Sequence, residues 1–192
     1  MKQLVQTTIA SLLVFGLVSL GPSSPAAAKD CVGVSMANSV EVEGTRLVLN
    51  GMGIREATIL QVDVYVAGLY LENKSPDAST IINSEQKKRL VMEFVRDVER
   101  KKVHEAFKES LKTNGMTGAK VSELLRMVPA AKKGTKLTLT YIPGKGTVVH
   151  VGRSEKGVIE GADFAKAWLK IYVGPRPPNP GLKTGLLGGT CG

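Results

Sequence analysis

The chain has 192 residues, 43% of them hydrophobic, and carries 26 Lys and Arg against 17 Asp and Glu, a formal net charge of +9. That length suits one domain with a real core, above the size at which cross-links become obligatory. A basic balance points to nucleic acid, an anionic membrane surface or an anionic ligand as partner, although the Lys and Arg come in short scattered groups that also serve as solvated faces.

The first element, residues 1–28, reads as a cleavable signal peptide. Lys2 is its only charge, an apolar stretch runs from Ile9 to Leu20, and Pro22 is followed by Ala26, Ala27 and Ala28. An apolar helix of that stretch reaches only about 18 Å against roughly 30 Å of hydrocarbon, too short for a membrane anchor. Cleavage after Ala28 removes one of the 26 basic residues and none of the 17 acidic ones, leaving 25 against 17, a net +8. The expected product is an exported protein, periplasmic or secreted, with no stable transmembrane anchor in its mature form. Export in turn argues against a nucleic-acid partner. Residues 29–192 then form a single domain, with a core over about 40–188.

Cys31 and Cys191 are the two cysteines of the chain and stand at the ends of the mature part. An oxidising compartment and termini that lie close together would favour a disulfide between them. The competing reading is two unpaired thiols on frayed tails, or pairing with another chain.

From Val40 to Glu72 the pattern is one of strands and turns. Val40 and Val42 alternate with Glu41 and Glu43, and Gly44 and Thr45 turn the chain. Leu47 and Leu49 resume the alternation up to Asn50 and Gly51. A strand over 54–60 and an apolar strand over 62–71 continue an antiparallel meander. Asp77 caps a short helix through Ile82, and residues 89–95 alternate as another strand. Residues 99–112 place Val103, Phe107 and Leu111 on one helical face. A second helix over 117–127 ends before Pro129. A hairpin of 135–142 with 147–151 follows, then a short strand over 157–161. The helix over 162–172 stacks Phe164, Trp168 and Tyr172 as a core stripe. The Gly- and Pro-rich tail, with Leu182, Leu186 and Leu187, suggests one short docked helix. This layout is α+β, an antiparallel sheet with helices gathered on one face.

His104 and His150 have no Cys or paired His at ligand spacing, so no metal site is expected. No phosphate-cradling loop, nucleophile elbow or dinucleotide fingerprint occurs, and no cofactor is expected. What stands out is GIREATILQVDVYVAGLYLE, residues 53–72. Alternation there puts Asp63, Tyr65, Ala67 and Leu69 on one face and Val62, Val64, Val66 and Tyr70 on the other. Arg55 and Tyr65 are polar in otherwise apolar strands. Converging at the mouth of an apolar cleft, they would hold a carboxylate by charge-assisted hydrogen bonds. The bland alternative is a surface arginine and a core tyrosine with a satisfied hydroxyl.

Residues 53–72, together with WLKIYVGPRPPNPGLKTGLLG at 168–188, resemble the chalcone isomerase family, in particular its bacterial chalcone-isomerase-like branch. The resemblance runs over about 40–188. It implies an open-faced β-sandwich, a large antiparallel sheet covered by a helical layer with a ligand cleft between them. The family's catalytic arginine corresponds to Arg55, and the threonine of the next strand falls at Tyr65. The cleft tyrosine and asparagine fall at Glu99 and Ala106, and the late-helix threonine and methionine at Ile171 and Tyr172. Of the catalytic set only the arginine is kept. Plastid fatty-acid-binding proteins of the same fold hold a lipid carboxylate with an arginine and a tyrosine, and Arg55 and Tyr65 look like that pair. The resemblance therefore implies a non-catalytic protein binding a small apolar anionic ligand such as a fatty acid. The alternatives are an intramolecular lyase or isomerase using Arg55 and Glu99, and an envelope protein-interaction module whose cleft is closed by side chains.

Overall fold

Seven strands pair in strict chain order, each antiparallel to the next, in a computed structural model that describes residues 28–57 and 62–191. They are β3 (Ser39–Val42), β4 (Thr45–Ala57), β5 (Val62–Leu71), β6 (Lys88–Phe94), β7 (Lys136–Ile142), β8 (Gly146–Val151) and β9 (Ser154–Ile159). A two-stranded hairpin of β1 (Ala28–Cys31) and β2 (Val34–Ala37) precedes them. Helix α1 (Ala78–Asn83) sits between β5 and β6, while α2 (Arg100–Thr113) and α3 (Ala119–Met127) join β6 to β7. After β9 come α4 (Ala162–Val173) and α5 (Pro180–Leu186). The signal peptide expected over 1–28, as far as residue 27, and the end of the strand expected over 54–60 lie outside the described residues.

The helices cover one face of the sheet because each presents a single apolar stripe to it. Val103, Phe107 and Leu111 of α2 and Phe164, Trp168 and Tyr172 of α4 are buried against the inward side chains of β5, β6 and β7. Trp168 is fully enclosed and its Nε1 donates to Thr147 Oγ1 at 3.2 Å, so its one polar atom is satisfied inside the core. The open-faced α+β sandwich expected from the sequence is the architecture observed.

The second face is partly covered by the β1–β2 hairpin, which the sequence reading did not anticipate. Met36 lies over Gly68, where a Cβ would collide with its sulfur, and Tyr70 donates to the Ala37 carbonyl at 3.0 Å. Cys31 and Cys191 are joined as a disulfide, with Cα atoms 5.9 Å apart, binding this hairpin to the end of the tail.

A second difference concerns Asn50 and Gly51, read as the end of a strand. They instead lie inside β4, which runs on for 13 residues. Leu49 pairs with Tyr70 and Gly51 with Leu69, so Asn50 is the extra residue of a β-bulge. Its amide donates to the carbonyls of Leu186 (2.8 Å) and Ser75 (3.0 Å). The glycines are there for close approach rather than for a turn. A Cβ at Gly51 would strike the backbone of Gly185, Leu186 and Gly188, and one at Gly53 would strike Leu182. Helix α5 thus lies with its main chain directly on β4, which lets Leu182 and Leu186 bury completely.

Candidate ligand-binding cleft

Between the ends of β4, β5 and β6 on one side and α2 with the end of α4 on the other lies a cavity of about 570 Å³. Its walls are mainly apolar, with Val64, Phe94, Val103 and Phe107 among them. Arg55 and Tyr65 both line it, and they are directly paired across β4 and β5. Tyr65 faces the cleft yet sits deep in the molecule, its ring edge-on to Phe94 at 5.5 Å between centroids.

The strand register explains a side-chain placement that simple alternation misses. Arg55 pairs with Tyr65 but Glu56 pairs with Asp63, so Val64 is the extra residue of a second bulge. A bulge turns two neighbouring side chains toward one side. Val64, and Val62 beyond it, therefore line the cleft with Tyr65 rather than the opposite face.

The polar end of the cleft has a third member. Tyr172, the last residue of the core stripe on α4, lines it too and donates to Met92 Sδ at 3.1 Å. Thioether sulfur is a weak acceptor, so this phenol remains available to a better partner. Burial lifts the Tyr65 phenol to about 12 while the nearby Arg55 cation and the Tyr172 hydroxyl pull it down. Tyr172 is held well above 10.0 by burial, reinforced by Tyr65 and opposed by Arg55. The Arg55 charge is therefore felt by both phenols. No ion pair involves Arg55 among the described residues. A cation and two neutral O–H donors at the end of an apolar cavity make a receptor for one anionic oxygen pair.

Glu99, the other candidate, lies in the same cavity but at its rim. It is exposed, it is the N-cap residue of α2, and its side chain makes no capping bond. Ala106 and Ile171 are also cleft residues. Arg96 and Lys102 stand exposed at the mouth, while Asp97 is engaged by Lys132 Nζ at 2.8 Å and the Lys133 amide at 2.9 Å. The helical periodicity treated Tyr172 as core, while the family resemblance put it at a catalytic-set position of the late helix. The signal for its second role was a single phenol closing an otherwise apolar helical stripe, which demands a polar partner.

A family described as chalcone isomerase-like matches residues 28–188. The chain belongs to the chalcone isomerase-like family. Among solved structures, a fatty-acid binding protein of Arabidopsis thaliana is similar to this chalcone isomerase-like chain with a TM-score of 0.65 and 20% identity. The likeness covers 81% of this chain and 92% of that one, and at this identity it speaks for the fold alone. No curated protein sequence matches the chain.

All four tyrosines of this chalcone isomerase-like protein are shifted upward, Tyr70 and Tyr141 to about 12 like Tyr65, in each case chiefly by burial. About one pH unit above the ordinary phenol value, an unfolded chain would be mostly phenolate. The native protein is expected to show almost no phenolate absorbance there, and to gain it only nearer pH 12 or on unfolding. Phenolate appearing near pH 10 with the fold intact would show that water reaches these hydroxyls freely.

Proposed function

We propose that this chain is an exported, non-catalytic binding protein that takes a fatty acid or a similar apolar carboxylate into the cleft. Arg55 and Tyr65 hold the carboxylate, with Tyr172 as a further donor. The observation that carries this reading is Arg55, which has no ion-pair partner among the described residues and stands beside two buried phenols at the end of an apolar cavity. A carboxylate would complete that set, and a cavity of about 570 Å³ is in the size range of small-molecule sites. The fold-level likeness to a fatty-acid binding protein supports the same reading.

A second reading, an intramolecular lyase or isomerase, has one observation in its favour, since Arg55 and Glu99 line the same cavity. Positioning counts against it. Glu99 is exposed at the rim, and its side chain makes no capping hydrogen bond to orient it. At the places where the family resemblance puts a tyrosine and an asparagine stand Glu99 and Ala106. Loss of one positioned oxyanion donor typically costs about 2.7–4 kcal/mol of transition-state stabilisation. The open cavity likewise favours a ligand over the interaction-module reading, which needs a filled one.

Two measurements test the proposal together. Mass spectrometry of lipids extracted from the natively purified mature protein is expected to find co-purifying fatty acids. An absorbance assay is expected to find chalcone cyclisation at the uncatalysed rate, unchanged by Glu99→Gln. Turnover that requires Arg55 and Glu99 would reverse the order of the two readings. Export is tested separately by N-terminal sequencing of the mature protein, expected to begin at Lys29.

A further inference from the structure

A second groove, of about 560 Å³, opens beside the mouth of the cleft between the start of α2, the end of α3 and the β8–β9 hairpin. Three cations line it, Arg100, Arg126 and Lys156, with one carboxylate, Glu123, and an apolar floor that includes Met127 and Val151. Each cation arrives there for a local reason. Arg100 is the first residue of α2 and Arg126 is in the last turn of α3. Lys156 is turned in by a bulge. Val149 pairs with Gly157 but His150 pairs with Glu155, which leaves Lys156 as the extra residue, sharing the side of Gly157 on which Met127 packs.

None of the three forms an ion pair among the described residues, whereas Lys101, Lys132, Lys136 and Lys145 all do. The groove is a neighbour of the cleft mouth. The first turn of α2 separates them, with Arg100 on the groove side and Lys102 on the cleft side, and Arg96 stands on the cleft rim as well. Five exposed cations, Arg96, Arg100, Lys102, Arg126 and Lys156, thus line the groove or the neighbouring cleft rim, with Asp97, Glu99 and Glu123 among them, on a chain of net charge +9.

We propose that this surface docks on an anionic phospholipid bilayer, the groove receiving a phosphate headgroup and the cleft mouth facing the membrane. Cations over an apolar floor suit a phosphate carried on a glycerol and acyl shoulder. A single-stranded nucleic acid would instead call for aromatic stacking platforms, and no aromatic residue lines the groove. Resting on the fatty-acid reading of the cleft, docking has a further use: an acyl chain could pass between bilayer and cleft without crossing water. Attraction to the membrane should amount to about a fivefold gain in binding per cation near the surface, and should weaken as salt screens it.

The test is co-sedimentation of the mature protein with phosphatidylcholine vesicles, with and without phosphatidylglycerol, at low and moderate salt. Binding is expected to the anionic vesicles only, and to fall with salt. The triple variant Arg100→Gln/Arg126→Gln/Lys156→Gln is expected to bind on the order of a hundredfold more weakly, while Lys29→Gln/Arg46→Gln/Lys74→Gln, with the same net charge, keeps most of its binding. If the triple variant does not fold, the exposed single changes Arg126→Gln and Lys156→Gln should each lose about fivefold. Equal losses in the two triple variants would overturn the proposal, as would binding to pure phosphatidylcholine or no vesicle binding at all. It would also fall if soluble glycerol phosphate competed as well as vesicles, or if the protein preferred an oligonucleotide to them. Arg55→Ala should keep vesicle binding while losing fatty acid. Vesicle binding by a parent protein that binds no fatty acid would leave the docking surface standing and remove the cleft reading.

Discussion

The Gly51→Ala variant is expected to lose about 3 kcal/mol of stability, the upper part of the range for overpacking a close contact. The added Cβ would meet three main-chain atoms, those of Gly185, Leu186 and Gly188. Main-chain atoms cannot rotate away as a side chain can, so α5 as a whole would have to lift from β4. Lifting it strains the bond from Asn50 to the Leu186 carbonyl and loosens Leu182 and Leu186, both fully buried. The damage should extend to the cleft. Asn179 donates to the Ile54 carbonyl at 3.0 Å beside Arg55, and Pro178 lines the cavity, both just ahead of α5. Urea unfolding should show a lower midpoint with an unchanged slope, and fatty-acid affinity should fall with it. A variant as stable as the parent would mean that α5 is not held on β4 in the way described.

Arg55→Ala is expected to weaken fatty-acid binding by about ten- to hundredfold, because it deletes a charge-assisted bond of roughly 1.5–3 kcal/mol. Stability should change little, since Arg55 is only partly buried and pairs with no acidic group among the described residues. Tyr65→Phe should cost less, about 0.5–1.5 kcal/mol, because it removes one neutral donor and keeps the ring that packs on Phe94. An Arg55→Ala protein that binds fatty acid as well as the parent would place the carboxylate elsewhere, with Arg96 and Lys102 at the rim as the next candidates.

The parts of this molecule that were legible from sequence are those where a single periodicity rules. The stripes of α2 and α4, the alternation of β6 and the facing of Tyr65 all follow from it. What escaped is where local rules compete. Asn-Gly is a strong turn signal, but at residues 50 and 51 a bulge and a helix pressed against the glycines use the same two residues for another end. The β1–β2 hairpin has strands of four residues and turns on Val32, whose φ of 47° is a conformation that a β-branched residue seldom adopts. The bulges at Val64 and Lys156 break the period of two that assigns faces, and both re-aim a side chain toward a cavity. Tyr172 was hidden differently. Its helical position is that of a core residue, and only the packing of α4 on the sheet brings its hydroxyl to Met92, Tyr65 and Arg55.

The end of the cleft is expected to recognise an anion rather than merely an apolar chain. Isothermal titration calorimetry of the parent protein with a long-chain fatty acid and with its methyl ester compares ligands that share the chain and differ in the charge. Tighter binding of the acid by about ten- to hundredfold is predicted, with the preference abolished in Arg55→Ala. Equal affinity for acid and ester in the parent would show that the cleft does not recognise the carboxylate charge.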